Sequence, residues 1–291
     1  MFTLLTILSK GSAPYWNMWK RKYAEDGIAP LTIAHVSNLI GHPIGIAILI
    51  ISGFFILPLD PLFYLYWFSL IGVAAIVTMF TIYGLLETKF FTTQVIGSLK
   101  FVSSSILAVI FLHEKLNGWS IFALVLGVIG VIFFSWDKKE KRLFAFDKGM
   151  IFTIIAVILS GFSSIFYKLA TLHVGSPASL FTGRFIADLI GWTLIWVIVL
   201  LAMKKNPLKD LNALVQKPYS KIFLPGDIIT TFLDSWLVYM LPVITISVLG
   251  TIAFPVTYFI SYFKYKERIT ASMWLGTLCI ASSIIIFLLF K

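Results

Sequence analysis

Charged side chains are scarce inside the long apolar runs of this chain, and the few that stand there are its candidates for chemistry. Lys100 lies about eight residues into one run, roughly 12 Å along a helix axis at 1.5 Å per residue. It reads either as a cation facing an anionic substrate group or as a lysine snorkelling to the interface. Lys10 lies near the centre of the first run and is a second candidate cation, unless that span begins after it. Arg184 and Asp188 are four residues apart, share one helix face and can pair. The pair is either a structural ion pair or a site in which Arg184 holds substrate while Asp188 orients it. Asp234 is mid-run, and a desolvated carboxylate can exchange a proton. It is therefore the candidate for proton coupling, or else a partner for Arg184 or Lys100. His35, Asn38 and His42 recur at helical spacing beside Gly41 and Pro43. Two histidines seven apart with no nearby carboxylate or thiolate do not make a metal site, so they are expected to line a cavity or bond between helices. Among the aromatic residues, Tyr15, Trp67, Tyr83, Tyr167, Trp236 and Tyr258 are placed to line a cavity or simply to pack. No metal-ligand or cofactor pattern is present, and neither is expected.

These residues are positioned by hydrocarbon-spanning helices. The chain has 291 residues, 59% hydrophobic and 12% charged, with a mean hydropathy of +0.96. That places it far outside the soluble range, where about a quarter of residues are charged. The net charge of +10 resides in short loops, where it sets topology and meets anionic headgroups; nucleic acid is not an expected partner. The single cysteine, Cys279, lies inside the last apolar run and forms no intrachain disulfide. The first run lacks a preceding basic segment and is read as retained rather than cleaved.

The apolar runs are 2–19, 31–56, 62–86, 92–112, 117–136, 149–170, 178–203, 223–243, 246–264 and 270–290. Each is long enough for a helix to cross a hydrocarbon core of about 30 Å. None shows the strict alternation of a membrane barrel strand. The expected fold is therefore all-α, with ten transmembrane helices. The stretch 204–221 is basic and expected to lie at the surface.

The chain also repeats itself. Residues 94–136 form an apolar run, a polar turn (His113-Glu114-Lys115-Leu116) and a second apolar run. Residues 250–290 do the same around Lys266-Glu267-Arg268-Ile269. One shift of 153 residues pairs Gly97 with Gly250 and Glu114 with Glu267. The segments ILSKGSAPYW, from Ile7, and ILSGFSSIFY, from Ile158, are alike as well. A duplicated half follows: 1–136 as the first repeat, 137–148 as a basic linker and 149–291 as the second repeat. Five spans per half is an odd number, so the copies enter the membrane from opposite sides, and inverted repeats place substrate sites near the midplane where the halves meet. Glu114 and Glu267 are read as helix-terminating residues at the interface, and Lys168 as an interfacial anchor.

The paired hairpins resemble those of the drug/metabolite transporter superfamily, specifically its EamA-type ten-helix members. The match lies in the Glu-containing turns at Glu114 and Glu267 and the spaced glycines Gly127, Gly130 and Gly276. The family's proline early in the fourth helix is missing near Phe101, while Pro255 supplies a counterpart in the second half. Locally, QVIGSLK followed by Ser103-Ser104-Ser105 is similar to the nucleotide-sugar transporter helix in which a lysine faces substrate phosphates. Only Lys100 matches that role, and the equivalent second-half position is Ala253.

The resemblance implies a secondary transporter that moves a small polar metabolite, such as an amino acid, by alternating access. An exchanger of anionic substrates such as nucleotide sugars or organophosphates is the alternative. A membrane enzyme acting on lipid-linked substrates and a non-transporting scaffold are the outside readings. No clustered catalytic constellation supports the enzyme. The candidate substrate residues are Lys100, Arg184, Asp234, Lys10, Asn38 and His35. The partners expected are a small-molecule substrate, the lipid bilayer, a coupling proton and a second copy of the chain in a homodimer. The protein is expected in the plasma or bacterial inner membrane. The lysine and arginine count puts the odd-numbered turns in the cytoplasm and both termini outside, whereas the resemblance implies cytoplasmic termini.

Overall fold

The computed structural model describes residues 2–135, 148–243, 245, 253–266 and 271–290. Every regular element among them is a helix: α1 (Phe2–Glu25), α2 (Pro30–Ile51), α3 (Pro61–Glu87), α4 (Phe90–Ser98), α5 (Lys100–Leu112), α6 (Gly118–Ser135), α7 (Lys148–Leu172), α8 (Pro177–Ala202), α9 (Pro207–Val215), α10 (Ser220–Met240), α11 (Ala253–Phe263) and α12 (Ala271–Leu289). Of these, α2, α3, α7 and α8 are long and apolar enough to cross a membrane.

Local chemistry sets the helix starts. Asp60, Ser176 and Asn206 each precede a proline and cap the following helix. Asp60 Oδ1 accepts from Leu62 N at 2.9 Å, Ser176 Oγ from Ser179 N at 3.1 Å and Asn206 Oδ1 from Lys209 N at 3.1 Å. Proline suits the first helical position because its missing N–H would have no helical acceptor. At the other end of α5, His113 adopts a left-handed conformation (φ 52°) and stops the helix.

The apolar run 92–112 is not one continuous helix. It divides at Leu99 (φ −58°, ψ −9°), whose N–H bonds Ile96 O at 3.0 Å while Val102 N bonds Leu99 O at 2.9 Å, tightening the turn. The adjacent Gly97 and Ser98 are weak helix formers and a usual place for a kink. The stretch 204–221, read as a surface loop, contains the short helix α9.

The packing is inverted relative to a water-soluble protein. Buried positions include Thr32, His35, Asn38, His42, Ser104, Ser105, Thr182 and Asp188, while Ile44, Ile48, Leu65, Ile110, Phe122, Leu194 and Ile198 are exposed. Hydrocarbon solvates the outer apolar side chains, and polar groups find partners only inside the bundle. α3 lies antiparallel on α7, with Gly84 against Thr153 and Gly149 and with Phe80 and Tyr83 against Phe152. α6 lies antiparallel on α12, where Ser283 Oγ donates to Ala123 O at 2.6 Å and Gly130 faces the Gly276 carbonyl. α2 lies antiparallel on α8, and α1 antiparallel on α10. α5 runs alongside α7, and α11 alongside α1.

Candidate substrate site

The site is built from helical periodicity on two facing helices. His35, Asn38 and His42 fall on one face of α2 at i, i+3 and i+7, and Arg184 and Asp188 on one face of α8 at i and i+4. Antiparallel packing brings these faces together, because Thr32 meets Trp196, His35 meets Thr193 and His42 meets Phe185. α3 adds Trp67 and α7 adds Tyr167.

Asp188 is the hub. Its Oδ1 accepts from Trp67 Nε1 at 2.7 Å and its Oδ2 from Arg184 Nε at 3.2 Å. His42 Nε2 is 3.8 Å from the same Oδ2. Arg184 Nη1 donates to the Tyr167 hydroxyl at 3.0 Å, and its guanidinium lies 5.9 Å from the Trp67 ring and 5.8 Å from the Tyr167 ring. The Arg184 and Asp188 side chains are only 11% and 7% exposed, so this charge pair operates out of water, where attraction is strongest and desolvation heaviest. Trp67 is held by stacking on Phe63 at 5.3 Å and by the edge of Tyr167 at 5.1 Å. His42 is stacked on Phe185 at 5.1 Å.

Hydrogen-bonding capacity remains in this cluster. His35 Nε2 is 3.0 Å from Thr193 Oγ1, but among the described residues His35 Nδ1 and both ring nitrogens of His42 meet no hydrogen-bond partner. Buried polar atoms of this kind are unfavourable unless something satisfies them. The site thus offers a compensated ion pair, aromatic faces and open imidazole nitrogens.

The sequence-based candidates are distributed as follows. Arg184, His35 and Asn38 belong to one buried region between α2 and α8. Lys100 is exposed at the first residue of α5, directly after the break at Leu99. It is therefore not eight residues into an unbroken helix. Lys10 is half-buried on α1, which continues through Pro14. Asp234 lies on α10, and its side chain falls outside the described residues. Thr193 and Thr32 were not legible as site residues; the only sequence sign is their position on helices rich in tryptophan and histidine. Of the candidate ring-lining residues, Trp67 and Tyr167 join the cluster.

Outside the spans, Asp60 accepts from His173 Nδ1 at 2.7 Å. The Leu62 N–H and the His173 ring hold its carboxyl below the usual carboxylate range. At the opposite end of the bundle, Asp26 Oδ2 is 2.8 Å from Lys217 Nζ and also accepts from the Tyr219 hydroxyl. Both contacts lower the Asp26 carboxyl, and burial next to Asp26 raises the Tyr219 hydroxyl.

An all-helical bundle with apolar flanks and a buried ion-pair network defines a multi-pass membrane protein. Residues 7–136, which include the first of the two hairpins, match the model of the EamA-like transporter family, part of the drug/metabolite transporter superfamily to which the hairpins bear a resemblance. Among solved structures, a crystal structure described only as that of a protein shares the fold. It is 10% identical with a TM-score of 0.66 over 98% of this chain and 94% of that one. No curated protein matches.

Proposed function

We propose that the protein is a secondary transporter that moves a small polar metabolite by alternating access between two inverted five-helix halves, 1–136 and 149–291, joined by 137–148. The observation that carries this reading is the buried network of Arg184, Asp188, Trp67, Tyr167 and His42, whose imidazole nitrogens meet no hydrogen-bond partner among the described residues, in a chain whose residues 7–136 match a transporter family. A desolvated ion pair such as Arg184–Asp188 is costly inside a membrane and favours a functional site over a passive scaffold.

The helix contacts support the duplication. If α1, α2, α3, the α4–α5 pair and α6 correspond in order to α7, α8, α10, α11 and α12, each major contact maps onto another. α3 on α7 becomes α10 on α1, α5 beside α7 becomes α11 beside α1, and α2 on α8 and α6 on α12 map onto themselves. The correspondence reaches single residues. A shift of 153 carries Ala123 to Gly276 and Gly130 to Ser283, so the contact of Ser283 with Ala123 and that of Gly130 with Gly276 exchange. Asp234 is the proposed carrier of a coupling proton.

A second reading, exchange of anionic substrates, is favoured by Lys100. It stands at the N-terminal end of α5 after a helix break, and half-helix N-termini with a cation beside them attract anions. The test is thermal stabilisation of the purified protein against amino acids, nucleotide sugars, sugar phosphates and cationic compounds, run in parallel on Lys100→Ala and Arg184→Met/Asp188→Leu. Ligands that bind the folded state raise apparent stability by mass action. Stabilisation by a zwitterion that survives Lys100→Ala and vanishes in the double variant supports the first reading. Stabilisation by an anion that Lys100→Ala abolishes supports the second. No stabilisation by any class overturns both.

A further inference from the structure

The polar turn between α5 and α6 does more than end a helix. Glu114 Oε1 accepts from Val243 N at 3.1 Å. Val243 follows the end of α10 at Met240, after Leu241 and Pro242. On the other side of this break, Lys168 Nζ of α7 reaches the Leu241 carbonyl at 3.5 Å. The two charges are therefore sorted by sign. The ammonium meets the carbonyl end of α10, the complement of a helix C-terminus, and the carboxylate meets the Val243 N–H. Glu114 also acts electrostatically on Lys168, so the three chain segments are tied into one clamp.

Its position in the fold gives the clamp a role. It lies at the end of the bundle where α5 and α7 finish and α6 begins. The Glu114 contact joins the turn after α5 directly to the chain that leaves α10. Below it, Val243 packs with Phe91, Ala108, Ala123, Ile165 and Ile280, flanked by Leu112 and Leu116. Parting the turn from the end of α10 would open this apolar seal from the same end.

We infer that Glu114 and Lys168 form a polar latch that holds this mouth of the bundle closed by clasping the break between α10 and Val243, and that the latch must release for the mouth to open. This rests on the transporter reading above. A hydrogen bond to a charged group contributes enough that its loss shifts a two-state equilibrium by about tenfold.

The test is a distance measurement that needs no substrate. Spin labels are placed at Lys115→Cys and Met240→Cys in a Cys279→Ser background, in lipid nanodiscs. The background protein is expected to show one dominant short separation. Glu114→Gln, which keeps the shape of the side chain and loses its charge, is expected to raise the population of a longer separation about tenfold. Lys168→Met is expected to act in the same direction, and Glu114→Asp to restore the short population in part. Melting temperature and gel filtration establish that each variant is folded. An unchanged distribution in folded Glu114→Gln and Lys168→Met overturns the latch. A latch that opens as expected in a protein no ligand stabilises leaves the latch standing and removes the transporter reading, so the two fail separately.

Discussion

Replacing Asp188 by asparagine removes the charge that compensates Arg184 while leaving the side-chain volume nearly unchanged. Arg184 then sits 11% exposed with its guanidinium bonded to a neutral amide and the Tyr167 hydroxyl. Breaking a buried pair by removing one partner is expected to cost about 3–5 kcal/mol, because the remaining charge is left desolvated. Trp67→Phe removes the 2.7 Å bond to Asp188 Oδ1, reduces the ring beside Arg184 and leaves a small cavity while keeping a ring against Phe63, so it should cost at least about 1.5–3 kcal/mol. Removing both charges, as in Arg184→Met/Asp188→Leu, eliminates the uncompensated ion, and stability should recover in part above Asp188→Asn, short of wild type because Trp67 Nε1 loses its acceptor. The assay is thermal unfolding of the four proteins in one detergent, scanned at one rate because membrane proteins often unfold irreversibly. Asp188→Asn melting like wild type, or a double variant no more stable than the single one, would refute the reasoning that the pair is buried and mutually compensating. A double variant that is stable but no longer binds ligand separates the transport role of the pair from its structural role.

Further outcomes follow from other contacts. A Cβ on Gly130 would meet the Gly276 carbonyl oxygen at 2.8 Å and Ile280 Cγ1 at 2.8 Å, so Gly130→Ala should force α6 from α12 and cost about 1–3 kcal/mol. A methyl group added at Gly72 on α3 would meet nothing within 4 Å, and Gly72→Ala should be neutral or stabilising by up to about 1 kcal/mol; paired melting curves check both. Trp196→Phe loses the 2.9 Å indole bond to Thr32 Oγ1, for an expected cost of about 1 kcal/mol. The Asp26 carboxyl is lowered by Lys217 and Tyr219 from an ordinary value of 3.8. Its stabilising effect is thus full above that pH and is lost as the pH falls through the still lower folded value. As a partly exposed pair it contributes at most about 1 kcal/mol, and the difference in melting temperature between wild type and Asp26→Asn should close as the pH drops below 3.8.

Composition and period alone determined that this is a helical membrane protein, because twenty-residue apolar runs have no other way to satisfy their backbone in hydrocarbon. The facing of Arg184 toward Asp188 and the resemblance of residues 7–136 to a transporter family were equally legible, since each depends on spacing along one chain. The sequence also showed that His35, Asn38 and His42 share a face. It could not show that this face meets the Arg184 helix rather than lipid, because periodicity fixes which side chains stand together on a helix and not which helix lies opposite. Only packing decided that Trp67 and Tyr167 complete the ion pair, and that Thr193 takes up His35. The break at Leu99 was hidden for a related reason. Gly97 and Ser98 permit a kink but do not require one, and the packing of α4 and α5 against α7 decides whether it forms. In the same way, Glu114 and Lys168 read as ordinary interfacial residues until the end of α10 was folded back between them.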